Sequence, residues 1–210
     1  MSLRRKASRL LAALALSTVI GAATLVPALP ADAAPEPPFE IRFPQETQVT
    51  VFVSSFGAGR SGGRRHTGND LMAPKMTQVY AATDGVITVI DTSSLAGRYV
   101  EIDHGDGWST RYIHLNNDDP GTDNGSADWE LTVVPGLVVG SRVMAGQQIA
   151  WVGDSGNAEW TGSHTHFEIA YEGREIDPYP FLKDAFLRDE ERYLDDVWQL
   201  NHPVGFNRVS

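Results

Sequence analysis

The chain contains no cysteine. Disulfides are therefore excluded, and so are the thiolate ligands that close most structural zinc sites. Positive charge is scarce as well: 17 Lys and Arg stand against 27 Asp and Glu, a formal net charge of −10. Without residues 1–33 the balance is 13 basic against 26 acidic, or −13. Nucleic acid is not an expected partner, since phosphate binding needs a basic face. No internal repeat is evident, and no long helical period appears before Pro180. A single long apolar stretch runs from about Leu10 to Leu29, after Arg4, Arg5, Lys6 and Arg9 and before Ala31-Asp32-Ala33. A basic start, an apolar middle and a small-x-small site are the marks of a secretory signal peptide. Pro27 and Pro30 favour cleavage over a retained anchor. Residues 1–33 are thus expected to be a signal peptide, leaving a secreted, extracytoplasmic chain with no stable membrane span.

What remains is 177 residues, a one-domain length. Hydrophobic residues make up 41% of the whole chain, enough for a genuine core. Residues 34–48, with Pro35, Pro37 and Pro38, read as an extended linker. Short apolar alternations follow at 49–53, 86–90, 100–103, 109–115, 133–139, 148–152 and 167–171, separated by Gly, Asp and Asn turns. That spacing predicts a mainly β domain built on an antiparallel sheet, over 49–182. From Phe181 to Leu200 the apolar residues recur at helical spacing, which predicts a C-terminal helix packed on the domain, within a tail of 183–210. Oligomeric state is not encoded in any of these patterns.

The run Gly162-Ser163-His164-Thr165-His166-Phe167-Glu168-Ile169 is the richest segment. On a strand the side chains alternate, so His164 and His166 share one face. Thr165, Phe167 and Ile169 then share the other, where Phe and Ile can enter a core. Paired imidazoles point to metal binding, proton transfer or both. His66-Thr67-Gly68-Asn69-Asp70 adds a histidine and a carboxylate of equal parity, in a glycine-rich setting that argues against a helix. Two His nitrogens and one Asp oxygen make an open zinc site, with the fourth position left for water. In Arg111-Tyr112-Ile113-His114-Leu115, alternation places Ile113 and Leu115 on one face and Tyr112 and His114 on the other. His114 is a candidate second catalytic imidazole.

These motifs, in this order, resemble the lysostaphin-type (LytM-like) zinc metallopeptidases, the peptidoglycan endopeptidases with H-x-x-x-D and H-x-H signatures. The resemblance runs from about residue 50 to 182. It includes Phe56-Gly57, Ala82-Thr83-Asp84-Gly85, Asp103-His104-Gly105, Met144-Ala145-Gly146 and Ile176-Asp177-Pro178. It implies one zinc held by His66, Asp70 and His166, with His114 and His164 as the catalytic, non-ligand histidines. It also implies hydrolysis of peptide cross-links in peptidoglycan by metal-activated water. Which of His114 and His164 is the general base, and which bond is cut, stay open at this level. Two alternatives stand beside it: an inactive wall-binding or hydrolase-activating relative, and a metallopeptidase that processes a protein. All five expected positions are filled, which weighs against the inactive relative. His104 reads as a turn residue and His202 as a solvent-exposed one.

Two features depart from the family pattern. Lys75-Met76-Thr77 stands where a Gly-Thr turn is usual, a change expected to affect a turn only. Residues 116–130 insert an acidic, turn-rich loop after His114. A mobile loop is the simplest reading; substrate selection and calcium binding are the sharper ones. Trp129 and Trp160 are candidates to line a peptide groove or to pack.

Overall fold

The computed structural model describes residues 36–201. The expected signal peptide and His202 lie outside them. Among the described residues there are nine strands: β1 Asn69–Met72, β2 Gln78–Tyr80, β3 Gly85–Ser93, β4 Gly97–Gly105, β5 Trp108–Leu115, β6 Arg142–Val143, β7 Gln148–Trp151, β8 His164–Tyr171 and β9 Arg174–Ile176. One α-helix, α1, follows at Tyr179–Asn201. Seven strands form the main sheet in the order β1-β8-β5-β4-β3-β6, with β9 on β8, and every pairing is antiparallel. β2 and β7 form a second, two-stranded sheet. The fold is therefore mainly antiparallel β with a C-terminal helix.

Alternation decides which side chains enter the core. Leu71, Ile87, Val100, Ile102, Tyr112, Phe167 and Ile169 leave the main sheet on its packed side. Val79 and Ile149 meet them from the smaller sheet, with Val152 just past its end. Each such side chain, fully buried, contributes roughly 1.5–3 kcal/mol. β8 is the pivot: β5 runs along one edge, while β1 takes the first half of the other edge and β9 the second. The opposite face of β1, β5 and β8 forms the floor of a cleft of about 800 Å³.

The linker reading of 34–48 fails from Ile41 onward. Ile41, Phe43 and Gln45 are buried, and Phe43 stacks against Phe52 and Phe186 at ring distances of 5.3 and 5.1 Å. The prolines that favour an extended linker end at Pro38, and beyond them a two-residue alternation feeds the core. Two expected strands are also absent. Residues 49–53 make only the bridge Val51–Met72, and Val51 and Val53 are each 68% exposed. Residues 133–139 make only the bridge Val133–Ala150 before Pro135 and Gly136 turn the chain.

Helix α1 begins at Tyr179, inside the domain as delimited from sequence. Its first turns carry the packing: Leu182 and Ala185 are fully buried, with Phe181 and Phe186 beside them. Asp189 then fastens it to the N-terminal segment, accepting from Arg42 Nε at 2.7 Å and from the Phe43 amide at 2.8 Å. Beyond that point Tyr193 and Leu194 are exposed, so the helix packs through its first half rather than along its length. Among the described residues no helix is long and apolar enough to cross a membrane.

Candidate active site

β8 presents His164, His166 and Glu168 to the cleft and Thr165, Phe167 and Ile169 to the core, as its parity predicts. β1 lies beside it with Asp70 opposite His166. His66 arrives from a hairpin-like turn, closed by Gly57 N donating to His66 O at 2.8 Å and His66 N to Ala58 O at 2.9 Å. Gly68 lets this segment lie close on β8: a Cβ there would sit 2.3 Å from the Phe167 carbonyl oxygen.

Three atoms converge on the cleft floor. His66 Nε2 lies 2.8 Å from His166 Nδ1, and Asp70 Oδ1 lies 2.9 Å from each. The other nitrogen of each ring is already engaged. His66 Nδ1 donates to Ser55 O at 2.9 Å, and His166 Nε2 donates to Glu168 Oε1 at 3.0 Å. Neutral rings bonded this way turn lone pairs, not protons, toward Asp70. Two ring lone pairs and a carboxylate oxygen within 3 Å repel one another unless a cation lies among them. The triangle is slightly tighter than the ~3.3 Å edges of a tetrahedral site with ~2.0–2.1 Å zinc bonds. The donor set and its spacing therefore fit a zinc-sized cation after a small opening.

The surroundings hold these groups in place. Glu168 accepts from Thr67 Oγ1 at 2.5 Å and from Arg111 Nη1 at 3.1 Å, and Arg111 also reaches Glu101 at 2.8 Å. Burial raises the Glu168 pKa, but the bond to His166 outweighs it and the carboxylate stays ionised. Arg60 Nη2 holds Asp70 Oδ2 at 2.5 Å, which leaves Oδ1 facing the rings.

His114 and His164 stand beside this group, their rings 5.1 Å apart. Alternation along β5 misplaces His114. Its φ is +63°, and the β4–β5 register slips between Arg98 and Val100, so β5 carries a bulge there. Tyr112 and Leu115 go to the core, while Ile113 and His114 line the cleft. The expected pairing of Tyr112 with His114, and of Ile113 with Leu115, is thereby corrected. A left-handed histidine costs on the order of 1–3 kcal/mol, held here by surrounding structure. His114 Nδ1 donates to Ser155 O at 2.8 Å, and His164 Nδ1 to Gly162 O at 2.8 Å, which leaves each Nε2 as an acceptor. Burial lowers both pKa values, that of His114 to about 4.

Other candidates fall elsewhere. His104 bonds Asp84 O and Thr110 Oγ1, each at 2.8 Å, and does not line the cleft. Neither Trp129 nor Trp160 lines it: Arg98 stacks over Trp129 at 4.7 Å, and Trp160 is 85% exposed. The 116–130 loop is anchored. Asn116 and Asp118 are buried, and Lys75 Nζ lies 2.7 Å from Asp118, 2.6 Å from Asp123 and 2.9 Å from Asp154. Lys75 thus does more than shape a turn. Three residues that support the site escaped the sequence reading. Glu168 shares the parity of His164 and His166, a usable signal; Arg60 and Ser155 meet their partners only through folding.

An antiparallel sheet with a His/Asp/His group in its cleft offers a place that could hold a metal ion. Residues 64–124 match Peptidase family M23. It is 28% identical over 176 residues to the peptidoglycan DD-endopeptidase ShyB of Vibrio cholerae, covering 80% of this chain and 37% of that protein. It is 33% identical to ShyA of the same organism over 53% of this chain and 21% of ShyA. The chain thus spans between about a fifth and two-fifths of these relatives. Among solved structures it resembles a zinc-containing peptidase from Vibrio cholerae, with TM-score 0.53 and 27% identity over 66% of this chain and 39% of that one. It also resembles the lysostaphin catalytic domain from Staphylococcus simulans, with TM-score 0.50 and 27% identity over 64% and 92%.

Proposed function

We propose that this protein is a secreted zinc endopeptidase that hydrolyses peptide bonds in bacterial peptidoglycan cross-links. The observation that carries the reading is the convergence of His66 Nε2, Asp70 Oδ1 and His166 Nδ1, within 2.9 Å of one another and beside two further imidazoles. His66, Asp70 and His166 would hold one zinc. When bound, zinc lowers the pKa of water and polarises a carbonyl. Similarity to peptidoglycan DD-endopeptidases supports the substrate class and an extracytoplasmic site of action.

The chain's own residues supply the remainder. Glu168 and Ser55 fix the tautomers of His166 and His66, and Arg60 fixes the rotation of Asp70. His114 and His164 are held neutral, so each can accept a proton at Nε2. One takes the proton of the attacking water. The imidazole so protonated can then hydrogen-bond the oxygen on which charge develops and return its proton to the departing amine. The cleft presents these groups on strands, a rigid mounting for groups that must act together. The test is incubation of the purified protein with defined muropeptides, with and without chelator, read by mass spectrometry. Cleavage that needs zinc supports the proposal; no cleavage by the zinc-loaded protein overturns it.

A further inference from the structure

One wall of the cleft is the turn between Gly57 and His66, tightened by the Gly59–Arg65 bridge and by Arg60 N donating to Arg64 O at 2.9 Å. It brings Arg60, Arg64 and Arg65 to the cleft, all three exposed. Leu95, Ala96, Asn157, Ala158 and Thr161 line the cleft elsewhere and are uncharged, while Arg111 and the carboxylates Asp70, Glu168 and Glu175 complete the charged lining. Three arginines along one wall stand out in a chain of net charge −10.

The three are not equivalent. Arg60 is committed to Asp70. Arg64 reaches only Ser61, at 3.3 Å to the carbonyl and 3.4 Å to the hydroxyl, and Arg65 only Gly57 O at 3.0 Å. Among the described residues neither has a carboxylate within ion-pair distance. Of the carboxylates that line the cleft, Asp70 and Glu168 already pair with Arg60 and Arg111, and Glu175 acts on Arg111 rather than on Arg64 or Arg65. Two guanidiniums are therefore left with donors facing the space where a substrate would lie. A guanidinium fork matches a carboxylate in shape and charge.

We infer that Arg64 and Arg65 form a carboxylate-binding subsite, so that the preferred substrate is an anionic peptide. This rests on the endopeptidase reading above. Arg65 adjoins His66, and an extended peptide advances about 3.3 Å per residue, so the recognised carboxylate lies within about two residues of the scissile bond.

The experiment uses the zinc-loaded protein and two synthetic cross-linked stem peptides, identical except that one has free side-chain carboxylates and the other has them amidated. Wild type should favour the free acid in kcat/KM by about 10–100-fold, the worth of one or two charge-assisted hydrogen bonds. R64Q/R65Q should bring that ratio close to one, and R64K/R65K should keep several-fold because the charge survives without the fork. Added salt should narrow the wild-type ratio, since both side chains are exposed. A wild-type ratio of one, or a ratio unmoved in R64Q/R65Q, overturns the subsite. Stronger competition by inorganic polyphosphate than by the free peptide would assign the arginines to a phosphate polymer and likewise overturn it. If neither peptide is cut, the endopeptidase reading fails instead. The subsite is then judged by calorimetric binding of the same two peptides, with the same ratio expected.

Discussion

Two clusters of converging acceptors lie within this one domain, and they differ in one particular. On the cleft floor, His66, Asp70 and His166 turn two ring nitrogens and an oxygen toward a common point, and Arg60 is held by the other oxygen of Asp70 instead. At the 116–130 loop, Asp118, Asp123 and Asp154 also bring oxygens together, but Lys75 Nζ lies within 2.9 Å of all three. The second cluster carries its cation in the sequence and is complete. Burial alone would discharge that lysine, yet the three carboxylates hold it charged. The first has its other ring nitrogens tied to Ser55 and Glu168, so neutral rings offer only lone pairs. One cluster is a clasp, and the other is a receptor.

The largest expected effect follows from emptying the receptor. Chelation, or His166→Ala, should abolish bound zinc and bring hydrolysis to background, and zinc should restore the chelated wild type but not the variant. Stoichiometric zinc in His166→Ala by metal analysis would break the comparison. Next come the flanking imidazoles. His114→Ala and His164→Ala should each keep zinc and lose about 10²–10⁴-fold in rate at equal metal occupancy. The two losses should not multiply in the double variant, because both groups serve one transition state. Full turnover by either variant would remove that histidine from the mechanism.

Smaller effects separate the support of each cluster. Glu168→Gln should weaken zinc affinity about 10–100-fold, as loss of a carboxylate behind a ligating histidine does. Competition with a fluorescent chelator reads this directly, and an unchanged affinity would mean that Thr67 and Arg111 suffice without the charge. Lys75→Met should leave zinc binding intact and destabilise the fold by about 2 kcal/mol. That is less than the usual cost of breaking a fully buried ion pair, because the lysine side chain is 26% exposed. Millimolar calcium should recover part of the loss in the variant and have no such effect on wild type. A denaturant midpoint indifferent to calcium in both would show that removing the lysine does not turn the clasp into a receptor.

The last effect is confined to acid pH. Burial holds His114 at about 4, against about 6.5 in an unfolded chain. Between those values the unfolded chain takes up a proton that the folded chain refuses, so stability falls as pH falls. The contribution of His114 is complete above about pH 6.5 and is lost on approach to pH 4. His114→Ala should therefore show a shallower loss of stability than wild type over that window in denaturant titrations. Parallel curves would mean that the imidazole is not excluded from water as the structure describes.

Period-two alternation was enough to read β8 from its letters, because a strand has no other way to place His164 and His166. The antiparallel sheet and the C-terminal helix were legible for the same reason: hydrophobic period is a local property. Pro35 to Pro38 masked the alternation that begins at Ile41, and the valines of 133–139 promised a strand that Pro135 and Gly136 interrupt. His114 marks the limit most clearly. Its motif reads as a regular strand, yet its cleft-facing position depends on a left-handed φ and a bulge against β4, neither of which the five letters around it encode. Lys75, Arg60 and Ser155 are further cases. Their roles are contacts across 43, 10 and 41 residues of chain, made only when the sheet closes. Residue type and local period thus determined which chemistry this protein can hold, and tertiary structure decided which groups meet, because a lone pair or a charge acts through distances that sequence order does not contain.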